Sequence, residues 1–547
     1  MEKYNPYSIK GSQTHLHSAA AAVVVVMAMA AMTINEAVME LDFSGHATTT
    51  AATIRDGDYK WSNWSPIVDW DVISGQDDFH GLTEAMIMEA SHGGGGGRDG
   101  IVGMEDYGFL LNSESSDSMT VDGEEIKGAV MAGDEEEDLK GLRLVHLLMA
   151  AAEALTGANE CHELARVILV RLKELVSPTS DSNIERLAAH FAEALQGILN
   201  GGAAAASKHR HVAVTGSGDQ GHDEHRQMEA TAAFHLLQDM SPYVKFGHFT
   251  ANQAILEAVV HHRRVHVVDY DIMEGIQWAA FMQALVSRKE GFPAPHLRIT
   301  ALSRGGGGGW RCVSTVQQTG RRLAAFAASV SLPFSFHQCR LDSDESFRPN
   351  NLKLMRGEVL IFNCMLHLPH FSYRASHSIA SFLAGARTVK PKLVVLSEEE
   401  MGSGVEDGGF VAHFMDTLHH FSAIYDSLEA GFPMQSRARE LVERIFLGPR
   451  IASRLACIYQ SHGVEAACNN GSLSWGRCLE EAGFMPAKMS FSNHCQAKLL
   501  VGLFNDGYRV EKLAGDRLVL SWKSRPLLSA SIWISSSSSS TVSDSES

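Results

Sequence analysis

The segment from Arg263 to Leu285, RRVHVVDYDIMEGIQWAAFMQAL, constrains the fold more than any other part of the chain. It starts with a β-branched apolar run that ends at Asp269, continues through a polar loop and finishes in an amphipathic stretch, Trp278–Leu285. This order is typical of a buried parallel strand that leads into a crossover helix. Ligands of open α/β sheets bind just beyond the carboxyl ends of the strands, so any cofactor would lie against Tyr270–Gln277.

The loop after Asp269 lacks the glycines that a bound cofactor requires. A methyltransferase strand end reads Asp-x-Gly-x-Gly-x-Gly, because glycine lets the backbone approach the ligand. Asp271 and Met273 fill the first two glycine positions, and only Gly275 remains. We therefore predict no cofactor, and we expect the Asp269 carboxylate to cap the following turn rather than to catalyse. The alternative is a small-molecule methyltransferase or ligand sensor that uses the cleft beyond Asp269.

Strand and helix patterns alternate through the second half of the chain. The parallel strands are predicted at Val265–Tyr270, Leu297–Ser303, Phe334–Leu341, Val359–Cys364 and Leu393–Ser397. Helices are predicted between them, and this alternation indicates a sheet covered on both faces. Hairpin turns join three further predicted strands, Ala497–Leu503, Tyr508–Leu513 and Arg517–Trp522. The fold class is therefore α/β, with a Rossmann-like (methyltransferase-like) core, a mostly parallel sheet and an antiparallel C-terminal edge.

An α-helical cap of three amphipathic helices is predicted between Leu142 and Leu199. The apolar stripes are Leu144, Leu147, Leu148, Ala151 and Leu155 in the first helix, and Leu164, Ile168, Leu172 and Leu175 in the second. The third helix is predicted to start at a capping box, Ser182 to Glu185. Val167 and Val170 lie off the second stripe, which favours contact with a partner. The alternative for all these leucines and valines is the protein's own core.

Negative charge is concentrated at the start of the chain. Residues 1–138 hold 25 acidic and 6 basic residues, whereas the remainder holds 39 and 40. Because residues 1–138 are also rich in Gly, Ser, Thr and Asp, we predict a largely disordered region. Within it, residues 61–82 place Trp61, Trp64 and Trp70 among aspartates. We predict that this motif orders on a partner, with docking onto the protein's own domain as the alternative.

Charge and residue usage argue against several classes of function. The near-neutral balance after residue 138 gives no sign of a basic DNA-binding face, so promoter DNA is expected to be contacted only indirectly. The eight cysteines show no Cys-x-x-Cys, and the paired histidines have no matching second pair, so no metal is predicted. Gly305–Gly309 lacks the lysine of a phosphate loop and is interpreted as low complexity. Ala19–Met32 is too short to cross a membrane; a signal peptide is the alternative to a low-complexity run.

Several motifs, in the right order, resemble those of the GRAS family of plant transcriptional regulators. Val265, His266, Val267, Val268 and Asp269 match the VHIID motif. Leu144–Leu155 resembles the opening of the first leucine-rich region, Leu332–His337 the end of the second, Ser427–Ile451 the PFYRE region and Arg517–Trp533 the SAW motif. The SAW-like motif contains Trp522 and ends Ser-Ala-Ser-Ile-Trp, which displaces Trp533 by two positions. Within the family, Trp61–Leu82 and VDYDIMEGIQW are most similar to the nodulation signalling branch.

The resemblance implies a domain organisation and a function. A GRAS domain would span 139–533, as a leucine-rich cap (139–200), a linker (201–227) and the rest of the cap with the α/β core (228–533), before a Ser-rich disordered tail (534–547). The protein would be a nuclear, non-enzymatic co-regulator in nodulation or mycorrhizal signalling that controls strigolactone synthesis genes. It would pair with another GRAS protein, or with itself, through the cap. The implied pairing residues are Leu144, Leu147, Leu148, Leu155, Val167 and Val170.

Overall fold

The computed structural model describes residues 125–156, 161–201, 220–288, 293–303, 310–342, 344–367, 376–400, 409–433, 436–462, 475–513 and 516–535. The predictions for Trp61, Trp64 and Trp70, for the glycine run 305–309 and for the end of the Ser-rich tail lie outside these residues.

One mixed sheet forms the centre of the fold. Its strands are β1 (Arg264–Asp269), β2 (His296–Ser303), β3 (Phe334–Arg340), β4 (Val359–Met365), β5 (Leu393–Glu399), β6 (Phe484–Ala487), β7 (Tyr508–Leu513), β8 (Arg517–Trp522) and β9 (Arg525–Ser535). They follow the order β3-β2-β1-β4-β5-β9-β8-β7, with β6 paired to β9. The first five strands pair in parallel, and β9, β8 and β7 continue antiparallel. The predicted Rossmann-like core with an antiparallel C-terminal edge is confirmed.

Helices cover this sheet and build the cap. They are α1 (Glu125–Thr156), α2 (His162–Leu175), α3 (Asn183–Leu199), α4 (Gln220–Met240), α5 (Tyr243–Ala258), α6 (Ile276–Val286), α7 (Trp310–Ser329), α8 (Ser376–Val389), α9 (Phe410–Gly431), α10 (Ser436–Val442), α11 (Gly448–His462), α12 (Trp475–Glu481) and α13 (Phe491–Val501). A single π-helical turn, Glu443–Leu447, joins α10 to α11.

Alternate residues of each central strand enter different apolar layers. Val267 of β1 belongs to the larger core with Phe281 of α6, whereas the next residue, Val268, packs in a second core with Phe382 of α8. This alternation follows from the two-residue period of a strand. Because both faces are covered, β4 and β5 are mainly apolar, as a buried parallel sheet favours, whereas the edge strand β3 is more polar and less buried.

Helix α3 connects the cap to α9 and to the π-helical turn. Phe191 of α3 packs edge-on against Phe414 of α9, with ring centroids 5.5 Å apart. Arg186, also on α3, forms a buried ion pair with Glu443 of the π-helical turn, with Nε to Oε2 at 3.0 Å. Burial raises the pKa of Glu443, and the Arg186 guanidinium acts against that shift.

One predicted strand is wrong. The run Ala497–Leu503 does not form a strand, because residues 491–501 form α13. The Ser490 hydroxyl accepts a hydrogen bond from the backbone N of Asn493 at 3.0 Å and so caps the start of this helix. A short apolar run does not by its period distinguish a buried helix from a strand, and this cap is the signal that decides.

The structure adds detail at three helix ends. Helix α1 starts at Glu125, inside the region that is predicted to be largely disordered, and α4 starts at Gln220, inside the predicted linker. Both segments contain glutamates, which favour helix. Ser182 is the N-cap of α3 but makes no capping hydrogen bond, and Glu185 instead pairs with Lys140 of α1, so the predicted capping box does not form.

Candidate functional site

Asp269 lies at the carboxyl end of β1, where it is enclosed by donors from the protein itself. Its Oδ2 accepts a hydrogen bond from Nε1 of Trp278 at 2.5 Å. Its Oδ1 accepts from Nδ2 of Asn363 and from the backbone N of Asp271, both at 3.2 Å. The contact with Asp271 is the predicted turn cap. The carboxylate, which is buried, therefore joins β1 to β4 and to the first turn of α6.

Three buried amides extend the network of Asp269. The Nδ2 of Asn363 also donates to Oε1 of Gln277 at 3.0 Å, and Nε2 of Gln277 donates to Oδ1 of Asn363 at 3.1 Å. The same Nε2 reaches Oδ1 of Asn252 on α5 at 3.2 Å, while Nδ2 of Asn252 donates to the backbone O of Gln277 at 2.9 Å. These bonds satisfy polar groups that would otherwise destabilise the core.

The charge state of Asp269 is strongly perturbed. Burial raises the pKa of Asp269 to about 7, against the opposite effect of the hydrogen bonds from Trp278 and Asn363. A carboxyl group with such a pKa is often a general acid or base in an enzyme. Here both oxygens accept hydrogen bonds from the protein, so the geometry assigns Asp269 to support of the fold.

The loop beyond Asp269 is held tightly against the domain. Tyr270 is buried against Phe382, with ring centroids 5.1 Å apart. Met273 packs against the larger core, and its backbone O accepts from Oγ1 of Thr319 at 3.1 Å. Gly275 has φ +80°, and a Cβ there would lie 2.9 Å from Cγ2 of Thr319. Side chains and close helix packing thus occupy the place where a cofactor-binding loop keeps open backbone.

His266, the other polar residue of the VHIID-like motif, belongs to a buried charge cluster. Arg298 on β2 donates from Nη2 to Nδ1 of His266 at 2.9 Å and pairs with Glu358. Since Nδ1 accepts, the proton of the neutral ring lies on Nε2, which donates to Oγ1 of Thr300 at 2.8 Å. Burial, and then the charge of Arg298, lowers the pKa of His266 to about 3. His266 stays neutral and links β1 to β2, and Arg298 connects it to Glu358 just before β4.

The leucines and valines predicted for partner binding differ in their burial. Leu144, Leu148 and Leu155 are buried in the core and Leu147 is half-buried, so these leucines build the cap itself. Val167 and Val170, in contrast, are 65% and 53% exposed on α2.

The predicted stripe of α2 needs a correction. Its buried face consists of Ala165, Leu169 and Leu172, whereas Leu164 is 51% exposed. The face that packs against α3 is therefore rotated from the predicted one. Leu164 consequently joins Val167 and Val170 at three-residue spacing on the exposed side of the helix. We call these three residues the α2 patch.

Both tryptophans of the SAW-like motif are structural. Trp522 packs against Tyr508, with ring centroids 4.7 Å apart, and donates from Nε1 to Oδ2 of Asp426 at 2.7 Å. Trp533 is buried on β9 opposite Val394 and donates from Nε1 to Oγ of Ser531 at 2.9 Å. A displacement of two positions keeps a strand residue on the same face, so the altered motif still buries Trp533.

Sequence reasoning missed the partners of the motif residues. Asn363 stands alone in an apolar segment, and a buried amide of this kind requires a partner, which is the signal that could have identified it. Asn252 lies next to other polar residues, Thr250 and Gln253, and carries no such signal. Among the described residues, no group of His, Cys, Asp and Glu is arranged to hold a metal ion. Within the same residues, no helix has the length and apolarity needed to cross a bilayer.

Known proteins similar to this chain were then compared with it. The GRAS domain family model matches residues 144–534. The chain is 57% identical over 509 residues to Protein NODULATION SIGNALING PATHWAY 2 of Lotus japonicus, covering 92% of this chain and 98% of the relative. It is 47% identical over 502 residues to Scarecrow-like protein 26 of Arabidopsis thaliana, covering 91% and 97%. The solved structure of SCL7 of Oryza sativa superposes with a TM-score of 0.56 at 29% identity, covering 71% of this chain and 99% of that one.

Proposed function

The chain belongs to the GRAS domain family, and from this premise we propose that it is a non-enzymatic transcriptional co-regulator that pairs with a second GRAS protein. Two relatives from Lotus japonicus and Medicago truncatula, at 57% and 56% identity, are named for nodulation signalling. We extend the proposal to action in the nucleus, in nodulation or mycorrhizal signalling, with strigolactone synthesis genes among the targets.

The exposed α2 patch is the observation that carries the pairing proposal. Large apolar side chains that follow one another on one side of a helix favour a protein interface, whereas scattered ones do not. Leu164, Val167 and Val170 are all more than half exposed, although α2 already packs against α3 through its other side. The patch lies in the leucine-rich cap, which supports a second GRAS domain, or a second copy of this chain, as the partner.

A double substitution tests the pairing surface. In the full chain, Val167→Glu/Val170→Glu should leave the melting temperature nearly unchanged, because both side chains are exposed. Pairing should weaken by about 2–4 kcal/mol, since two carboxylates would be buried against the partner. Co-precipitation with tagged copies of the chain and with a second GRAS protein, together with reporter transcription, provides the measurement.

Phe491→Glu/Leu503→Glu is the matched control. These residues are 47% and 46% exposed at the start of α13 and just after its end, outside α2, so the control removes similar apolar area and adds the same charge. The control should pair normally. Normal pairing by the folded Val167→Glu/Val170→Glu protein would contradict the α2 patch as the interface.

The enclosed surroundings of Asp269 support the non-enzymatic part of the proposal. A methyltransferase or ligand sensor beyond β1 would need the space next to a loop that is packed against Thr319 and Phe382. We therefore expect no heat of binding when S-adenosylmethionine is titrated into the purified chain, and no methyl transfer. Micromolar binding that is lost in a folded Asp269→Ala variant would favour the alternative.

The proposal assigns promoter contact to the partner. At physiological salt the chain alone should shift a promoter duplex weakly and without sequence preference, and the paired complex should shift it selectively. Tight, sequence-selective binding by the chain alone would contradict this role. Plants without the protein should also show reduced strigolactone synthesis transcripts, and unchanged transcripts would remove those genes from the proposal.

A further inference from the structure

Exposed basic side chains gather at the amino ends of three strands that are neighbours in the sheet. They precede or begin β1, β4 and β5 and are Arg263, Arg264, Lys353, Arg356, Lys390 and Lys392. We call these six residues the basic edge. The near-neutral composition after residue 138 gave no indication of such a cluster, because total charge does not report its distribution.

The register of the sheet brings these residues together. Val265 of β1 is paired with Val359 of β4, so the segments before both residues leave the sheet at the same level. The backbone N of Lys392 donates to the O of Leu360 at 2.9 Å, which places Lys392 beside the first residues of β4. Adjacent strands lie about 4.8 Å apart, so cations from all three segments share one surface.

Ion pairs among the described residues do not account for these charges. In the segments that the structure describes, no ion pair involves any of the six basic side chains. Glu358, the acid nearest to them in sequence, has a buried carboxylate that is paired with Arg298. Cations are also favoured near helix C-termini, which explains Lys390 directly after α8. Lys353 and Arg356 follow no α-helix, so that explanation does not cover them.

Two exposed apolar residues lie between Lys353 and Arg356. Leu354 is 51% and Met355 is 54% exposed. The backbone N of Glu358 donates to the O of Met355 at 3.4 Å, and Gly357 with φ +84° closes this turn. A phosphate backbone would satisfy the cations but offers no match for Leu354 and Met355. An acidic peptide with apolar side chains would satisfy the cations and would also contact Leu354 and Met355.

We propose that the basic edge binds a partner protein through an acidic segment that carries apolar or aromatic side chains among its carboxylates. Lys353, Arg356 and the neighbouring cations would pair with the carboxylates, and Leu354 and Met355 would receive the apolar groups. This interaction goes beyond pairing through the α2 patch and uses different elements, so either proposal can fail without the other.

The test uses the full chain and three labelled probes. They are a 20-residue peptide of alternating aspartate and leucine with one tryptophan, a poly-aspartate peptide matched to it in net charge, and a 20-base-pair DNA duplex. Fluorescence anisotropy at 150 mM salt should rank the amphipathic peptide at least tenfold tighter than the other two. Lys353→Glu/Arg356→Glu should weaken binding of the amphipathic peptide at least tenfold. Leu354→Ser/Met355→Ser should reduce the difference in affinity between the amphipathic peptide and poly-aspartate.

The matched control reverses the same amount of charge elsewhere. Arg437 on α10 and Arg509 on β7 are also exposed, so Arg437→Glu/Arg509→Glu should change the affinity less than threefold. Equal loss in the control would show a general charge effect and overturn the proposal. A folded Lys353→Glu/Arg356→Glu protein with normal peptide affinity would also overturn it. Tighter binding of the duplex, lost in that variant, would reassign the surface to nucleic acid.

Discussion

Replacement of Asp269 by asparagine should change how the stability of the protein depends on pH. Burial raises the pKa of this carboxyl from 3.8 to about 7 in the folded protein. Because the folded value lies above the unfolded one, the contribution of Asp269 to stability is fully present below about pH 4. It is lost as the pH rises through 7, where the folded protein must hold an ionised group that burial disfavours. An asparagine side chain does not titrate, so this dependence should disappear in Asp269→Asn.

The expected magnitude follows from the two pKa values. One pKa unit corresponds to about 1.4 kcal/mol, so the separation of 3.8 from about 7 corresponds to roughly 4 kcal/mol over the full titration. About 3 kcal/mol of this falls between pH 4.5 and 7.5. The variant also loses one acceptor for Trp278 or Asn363, at a cost of about 1–3 kcal/mol that does not depend on pH.

Urea unfolding of both proteins at closely spaced pH values provides the measurement. Burial lowers the pKa of His248 and of His266 to about 3, so these histidines destabilise the fold as the pH falls below 6.5. They act equally in wild type and variant and cancel in the difference of unfolding free energies. That difference, wild type minus variant, should fall by about 3 kcal/mol from pH 4.5 to 7.5. A difference that is constant within about 1 kcal/mol would refute an elevated pKa at Asp269.

Two further predictions concern packing around the site and the cap. Gly275→Ala should lower the free energy of unfolding in urea by about 2–4 kcal/mol. Gly357 has a similar positive φ but open space around it, so Gly357→Ala should lower the free energy of unfolding by only about 1 kcal/mol. Equal losses would show that the contact with Thr319 is unimportant. Arg186→Met should lower the free energy of unfolding by about 3–5 kcal/mol, because Glu443 then remains buried without its ion-pair partner. The double variant Arg186→Met/Glu443→Leu should recover most of this stability. No recovery would contradict the ion-pair explanation.

The parallel part of the fold could be predicted because most of its strands are buried on both faces. Such strands are mainly apolar runs, and all five predicted starts coincide with the observed starts or lie within one residue of them, as at Phe334 and Val359. The C-terminal edge of the sheet was harder to predict from sequence. Strand β9 contains Pro526 and mixes small polar with apolar residues, so its pairing with β5, β6 and β8 is what defines it as a strand.

The candidate site could be predicted only in part, for a physical reason. A departure from the glycine pattern at Asp271 and Met273 is visible in sequence, and in the structure Met273 packs against the larger core. Asn363 of β4 and Trp278 of α6 come from different elements, so only the folded arrangement shows that they enclose Asp269. Asn252 of α5 joins the same network through Gln277.

The role of Asp269 bears on how strand-end acids in this fold are interpreted. An aspartate after a parallel strand places a carboxylate where cofactors bind in related sheets. Its elevated pKa would by itself favour catalysis. Yet the Asp269 carboxylate accepts hydrogen bonds from the indole of Trp278, the amide of Asn363 and a backbone N–H. These bonds make the carboxylate a structural connection between β1, β4 and α6. A perturbed pKa therefore reports burial here. In the part of the chain that the structure describes, the α2 patch and the basic edge carry our proposals for partner binding, because their side chains are exposed whereas the Asp269 carboxylate is enclosed.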